Sequence, residues 1–335
     1  MSDLAVVVER ARAETATDAL AAEGVYDDTR SIQPHGEGVA IPVTEPPTET
    51  AVLDVVETHL PTRTRGLRDL LSARGWSESE LSRAPSSWAC LGSCVLVDAP
   101  PEPFPDPDAV GAALLELHGE ADTVLLSHGV SGRHREPDVE VLAGVGDTEV
   151  IHTEHGTRYA MDLAETMFSP GNKAERAHMG DVVSEAERVF DMFAGVGYFT
   201  LPMARAGAEV TAAEINPTAY RYLAENAVLN GVEERVSAFR ADCRAVDASA
   251  DRVVMGYYDA PEYLDAALSA LDSTGVVHLH AAVPEAELWD RPLDRLAAVA
   301  ADHAVDVLDR RIVKSHAPGV AHVVVDARID SPPAI

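Results

Sequence analysis

Short apolar runs that stop at acidic residues dominate the second half of the chain, and the segments between them carry apolar residues at helical spacing. Runs at 189–190, 209–213, 236–239, 252–255 and 276–280 predict strands, with helices over 219–229 and 263–271 between them. This alternation predicts an α/β, Rossmann-like class I fold with a doubly wound, mostly parallel sheet. Two last runs, 305–313 and 320–325, joined by KSHAPG, predict an antiparallel pair at the sheet's edge. Upstream the pattern is more broken. Residues 1–36 have helical Ala/Glu/Arg content and a turn-rich end, 38–43 (GVAIPV) read as a strand, and 88–97 read as another. A proline-rich loop at 99–107 precedes a helix at 108–118, strands at 123–127 and 139–142 flank GVSGRHRE, and 150–152 with 158–161 read as a hairpin across EHGT. Three regions are expected: 1–85 with no role assigned, a small α+β domain over 86–168, and the Rossmann-like catalytic domain over 169–331.

The informative stretch is VFDMFAGVGYFTLP, residues 189–202. A strand closed by Asp191, a tight turn at Gly195 and Gly197, and helical character from Tyr198 bring backbone N–H groups close to a ligand with no side chain in the way. Glu214 then ends the next strand where such a unit presents a carboxylate to ribose hydroxyls, and Asp242 ends the third. A dinucleotide site would carry a third glycine where Thr200 stands. The loop reads instead as an S-adenosylmethionine site: Asp191 and the glycines face the methionine part, Glu214 the ribose, and Asp242 with Cys243 the adenine. Ahead of it, Ser169, Lys173 and Arg176 fall on one face of a helix that Ser169 would cap, a face open to a solvated or a functional reading.

Composition narrows the partners. The formal net charge is −30, and only Lys173 and Lys314 are lysine among 26 basic residues. Such a surface resembles proteins of salt-loving archaea, an acidic mesophilic protein being the alternative. At molar salt the Debye length is about 3 Å, so local positive patches decide nucleic-acid contact and net charge does not. Arg63, Arg65 and Arg68 form one patch, either facing RNA or pairing nearby carboxylates; Arg133 and Arg135 form another. No apolar run reaches membrane-spanning length and residues 1–30 lack a signal-peptide pattern, so a cytoplasmic protein without membrane contact, a monomer, is expected. Cys90 and Cys94 make half a metal site and read as small core residues; His278 and His280 share a strand face and read as hydrogen-bonding rings, so no metal is expected.

The blocks SHGVSGRHREPDVEVLAG, TEVIHTEHGTRYAMDLAETMFSPGNKAERAHM, DMFAGVGYFTLP, AEINP, DRVVMGYYDAPEY, VVHLHAAVPE and KSHAPGVAHVVVD resemble a tRNA-modifying family with two branches. One branch is the guanine N1-methyltransferase acting beside the anticodon; the other is the wybutosine-pathway aminocarboxypropyltransferase. The resemblance runs from about residue 86 to 329. Tyr198 after the glycine loop, and Met255-Gly256-Tyr257 after the fourth strand, are similar to the second branch in its archaeal form. It implies transfer of the 3-amino-3-carboxypropyl group from S-adenosylmethionine to the tricyclic guanosine derivative in tRNA(Phe). Methyl transfer at the same position, or a catalytically silent tRNA-binding protein, are the alternatives. Carried over, the resemblance puts Ser169, Arg176, Phe193, Glu214, Asp242, Cys243, Met255 and Gly256 at the cofactor, Glu175 as general base and Arg135 at the target base.

Overall fold

The computed structural model describes residues 3–63 and 66–330, which divide between Ala84 and Pro85 into two compact units. The first unit opens with a strand, β1 (Asp3–Glu9), where helical content was expected. Its valine run explains the difference, because β-branched side chains lose rotamer freedom in a helix and pack well on a pleated surface. Helix α1 (Ala13–Glu23) follows, then β2 (Gln33–His35), β3 (Gly38–Pro42) and β4 (Asp54–Thr58). The four strands pair antiparallel in the order β2-β3-β1-β4, and α1 packs Ala16 and Leu20 against Val6, Val8 and Ile41. Helices α2 (Leu67–Ala73) and α3 (Glu78–Leu81) end the unit. Arg68 donates to the Leu81 carbonyl at 2.7 Å and to Glu78 at 3.3 Å, and Arg63 to the Tyr26 hydroxyl at 3.2 Å, while Arg65 lies outside the described residues.

The second unit begins with a hairpin rather than the single strand expected at 88–97. Strands β5 (Ala89–Leu91) and β6 (Cys94–Asp98) turn at Gly92, whose φ of 56° and close approach to the Ile151 carbonyl leave no room for a Cβ. Cys90 is consequently exposed, whereas Cys94 is buried. Helix α4 (Pro107–Leu117), capped by Asp106, connects β6 to the parallel strand β7 (Thr123–Ser131), which pairs with β8 (Glu136–Gly144). Strands β9 (Glu149–Glu154) and β10 (Thr157–Asp162) form the expected hairpin, with positive φ at both His155 and Gly156.

Next come α5 (Lys173–Val182), β11 (Arg188–Asp191), α6 (Thr200–Arg205), β12 (Glu209–Glu214), α7 (Pro217–Leu229) and β13 (Val236–Arg240). Then follow β14 (Ala250–Met255), α8 (Leu264–Ala270), β15 (Leu271–Pro284), α9 (Asp290–Val299), β16 (Ala304–Ala317) and β17 (Val320–Asp330). Seven strands order as β13-β12-β11-β14-β15-β17-β16, parallel from β13 to β15 and antiparallel at β17 and β16. Strand order reverses between β11 and β14, so a crevice opens beyond their carboxyl ends, where open α/β sheets bind ligands. Leu91, Cys94, Leu125 and Tyr159 share one apolar core with Val189, Val196, Leu201 and Leu223, so the smaller sheet packs directly on the larger one. Among the described residues no helix is long and apolar enough to cross a membrane.

Candidate active site

The crevice is built on the glycine loop. Asp191 closes β11 with 0% exposure and accepts hydrogen bonds from the Thr200 hydroxyl (2.7 Å) and the Phe193 N–H (3.3 Å). Burial raises its pKa to about 6, against the pull of those donors. Asp191 therefore ties the loop from behind and is not among the residues lining the cleft, whereas the sequence placed it facing the methionine part. Gly195 and Gly197 sit at φ of 56° and 104°, and a Cβ on either would lie 2.7 Å from Tyr198 or Leu201. One oxygen of Glu214, at the end of β12, accepts the Gly195 N–H at 2.7 Å; the other accepts the Asn216 N–H at 2.7 Å. Burial raises the Glu214 pKa even so. Asn216 caps α7 through Thr218 and Ala219 N–H, and its side-chain amide donates to the His134 carbonyl at 3.0 Å. The basic turn between β7 and β8 is thereby fastened over the cleft.

That cleft has an empty volume of about 980 Å³. Phe193, Gly195, Glu214, Ile215 and Tyr263 line it together with Arg135, Met167, Asn172, Tyr258 and His322. The rings of Phe193, Tyr257 and Tyr263 cluster with centroids 5.1 to 6.3 Å apart, an apolar wall with polar tips. Gly256 lies in the wall because Phe199 packs where its Cβ would be, 2.7 Å away. Arg135 takes φ of 55°, its N–H bonded to the Gly132 carbonyl, so the turn aims its guanidinium inward toward Met167. A side recess of about 290 Å³ holds Asp242 and Cys243 beside Phe193, Glu214 and Ile215. Asp242 is bound by Arg244 at 2.9 and 2.7 Å and by Arg133, and Arg244 foremost holds its pKa well below the carboxylate range. Burial, then the Asp242 charge, pushes the Cys243 thiol up to about 11.

Four further residues assigned to the site are committed elsewhere. Arg176, 1% exposed, makes a two-pronged ion pair with Glu154 at 2.6 and 2.9 Å, donates to the Ser169 carbonyl and lies over the Phe168 ring. Ser169 makes no side-chain cap; its Oγ accepts from Lys314 at 2.5 Å and its N–H donates to the Tyr198 hydroxyl, while Asn172 occupies the cap position of α5. Glu175, 3% exposed, is held by Arg311 at 2.8 Å rather than opening to the cleft. Met255 is fully buried in the core beneath α8. Tyr198 has a structural part: its hydroxyl donates to the Met167 carbonyl and its ring stacks on Phe168 at 5.2 Å.

Sequence reading passed over Asn172, Asn216 and His322. Asn216 had a local signal, Asn-Pro directly after the acidic strand end, the pattern of a capped helix start. Asn172 and His322 had none, since each reaches the cleft only through the tertiary fold. Below the cleft floor, Arg252 can only donate to His278 Nε2 (2.6 Å) and Asp326 can only accept from Nδ1 (2.7 Å), which assigns His278 as the neutral Nδ1–H tautomer. Among the described residues no group of three or more metal-ligating side chains is gathered.

The TRM5/TYW2 methyltransferase domain matches residues 150–308 and the TYW2 N-terminal domain matches residues 67–148. The tRNA(Phe) (4-demethylwyosine(37)-C(7)) aminocarboxypropyltransferase of Pyrococcus horikoshii is 36% identical over 80% of this chain and 99% of its own. The crystal structure of P. horikoshii TYW2 in complex with MeSAdo superposes with a TM-score of 0.69 at 35% identity, covering 79% of this chain and 98% of that one. Trm5b from Pyrococcus abyssi superposes with a TM-score of 0.77 at 32% identity, covering 98% and 99%.

Proposed function

Because the chain belongs to the TRM5/TYW2 family, we propose that it transfers the 3-amino-3-carboxypropyl group of S-adenosylmethionine to C7 of 4-demethylwyosine at position 37 of tRNA(Phe). S-Adenosylmethionine is the co-substrate. In this reading Glu214 holds the ribose, the recess at Asp242 and Cys243 takes the adenine, and the loop at Phe193 to Gly197 receives the methionine part. A sulfonium activates all three of its carbon substituents, so the carbon in line with the nucleophile decides which group moves. The observation that carries the reading is the wall after β14. Gly256, pressed on Phe199, and Tyr257 and Tyr258 line the same cleft as Arg135, which supports an amino-acid arm lying along this wall toward the base. The arm's first carbon is then the one attacked, and methylthioadenosine leaves.

One observation favours a second reading. The P. abyssi Trm5b structure spans nearly the whole chain, whereas the aminocarboxypropyltransferase matches about four-fifths of it. Methyl transfer to guanine 37 is therefore the competing outcome. Incubating the protein with labelled S-adenosylmethionine and tRNA separates the two by the co-product released.

A further inference from the structure

Asp242, just past the end of β13, has every acceptor position filled by the protein itself. An ionised carboxylate offers about four lone-pair sites, two on each oxygen. Its Oδ1 accepts the Arg244 backbone N–H at 3.0 Å and the Arg244 Nε–H at 2.9 Å; its Oδ2 accepts Arg244 Nη2 at 2.7 Å and a hydrogen bond from Arg133 Nη2. The two donors are held unequally. Arg244 stands two residues along the chain, grips the carboxylate by three bonds and lays its guanidinium over the Tyr263 ring, 4.9 Å from the centroid. Arg133 reaches over from the turn between β7 and β8 with a single bond, and its side chain is 65% exposed. It lines both the main cleft and the side recess.

Adenine brings a donor of its own. Its exocyclic amine needs an oxygen of Asp242, and on a filled carboxylate one donor enters only as another leaves. Arg244 would give up three bonds and Arg133 one, so Arg133 is the donor that yields. The carboxylate remains neutralised by Arg244, and the incoming amine is uncharged. The displaced guanidinium is then a cation freed from its carboxylate, on a turn whose other arginine, Arg135, is directed inward to Met167. A released, solvent-facing guanidinium of this kind matches the phosphate oxygens of a nucleic acid.

We propose that Arg133 is a phosphate contact released by the cofactor: adenine displaces it from Asp242, and it then binds the tRNA backbone. The inference rests on adenine lying in the recess and on tRNA being the second substrate, as in the proposed function, and is independent of which group is transferred. Each ligand alone must break the Arg133–Asp242 contact, and the second to arrive finds it already broken. Cofactor and tRNA therefore strengthen each other's binding by one and the same factor. That factor is set by an exposed ion pair, so it is severalfold rather than orders of magnitude.

The test is a binding cycle with tRNA and S-adenosylhomocysteine, which keeps the adenine and the whole arm but donates no group. Saturating S-adenosylhomocysteine strengthens tRNA binding about three- to fivefold. The analogue with purine in place of adenine lacks the exocyclic amine and leaves tRNA affinity unchanged. Arg133→Met keeps the length of the side chain and donates nothing to Asp242. In that variant the coupling disappears, and S-adenosylhomocysteine alone binds about three- to fivefold more tightly than to the unaltered protein, because its competitor is gone; a merely loosened turn would weaken it. Equal tRNA affinity with and without S-adenosylhomocysteine, coupling that persists in Arg133→Met or with the purine analogue, or weaker S-adenosylhomocysteine binding in the variant overturns the proposal while leaving the functional reading intact. If the unaltered protein binds no S-adenosylhomocysteine, or no tRNA with or without it, the functional reading fails and this inference with it.

Discussion

Replacing Glu214 by alanine probes the cofactor end of the cleft most sharply. Each of its oxygens already accepts one backbone N–H, from Gly195 and from Asn216, and each can accept one more hydrogen bond, which the proposed function gives to a ribose hydroxyl in the cleft that Glu214 lines. A hydrogen bond to a charged acceptor contributes about 1.5–3 kcal/mol. Loss of one such bond weakens S-adenosylmethionine binding about 10- to 100-fold, and loss of both weakens it further. Titration calorimetry reads this directly, and the melting temperature of the ligand-free variant separates a loosened loop from a lost ligand contact. The ribose hydroxyls donate, so binding needs the carboxylate form. Affinity therefore falls as pH drops through the raised Glu214 pKa, and this dependence is absent from the variant. A dissociation constant unchanged by Glu214→Ala would refute the placement of the ribose.

Further outcomes follow from buried charges and from the surface. Asp191 has a folded pKa raised to about 6 from 3.8, so its contribution to stability is full below about pH 4 and is lost as pH rises toward 6. Asp191→Asn, measured by urea unfolding against the unaltered protein, should gain relative stability over that window by roughly 3 kcal/mol, two pKa units at 1.36 each; a pH-independent difference contradicts the burial argument. Glu154→Gln strands the Arg176 guanidinium in the core, which costs about 3–5 kcal/mol, and a melting temperature within a degree of the unaltered protein would show that the pair is not structural. With a net charge of −30, unfolding temperature should climb between 0.2 and 3 M potassium chloride, roughly the range over which the Debye length shrinks from about 7 to under 3 Å, and a flat profile contradicts a self-repelling surface. Arg135→Gln should weaken tRNA binding about tenfold, because its guanidinium reaches into the cleft that receives the base; an unchanged affinity places the base elsewhere.

The parallel sheet was legible because its strands are short apolar runs that stop at acidic residues, and a period of that kind survives without knowledge of neighbours. Asp191, Glu214 and Asp242 mark strand ends for the same reason. What local pattern could not reveal is which of two polar groups claims a side chain. Arg176 and Glu175 look available on α5, yet the fold brings Glu154 from 22 residues away and Arg311 from 136 away to claim them. The His280 to His322 contact likewise joins strands 42 residues apart. Helix α9, DRPLDRLAAV, went unread although Leu293, Leu296 and Val299 recur at helical spacing; the proline near its start reads as a break, and only Pro292 and Leu296 are buried. β1 was misread because alanine- and glutamate-rich neighbours masked a valine run.

The central claim is the identity of the transferred group, and mass analysis of the position-37 nucleoside after reaction with S-adenosylmethionine tests it most directly. The geometry after β14 predicts a tricyclic base heavier by one 3-amino-3-carboxypropyl group, with methylthioadenosine released in equal amount. A guanosine heavier by one methyl group, with adenosylhomocysteine as co-product, would contradict it.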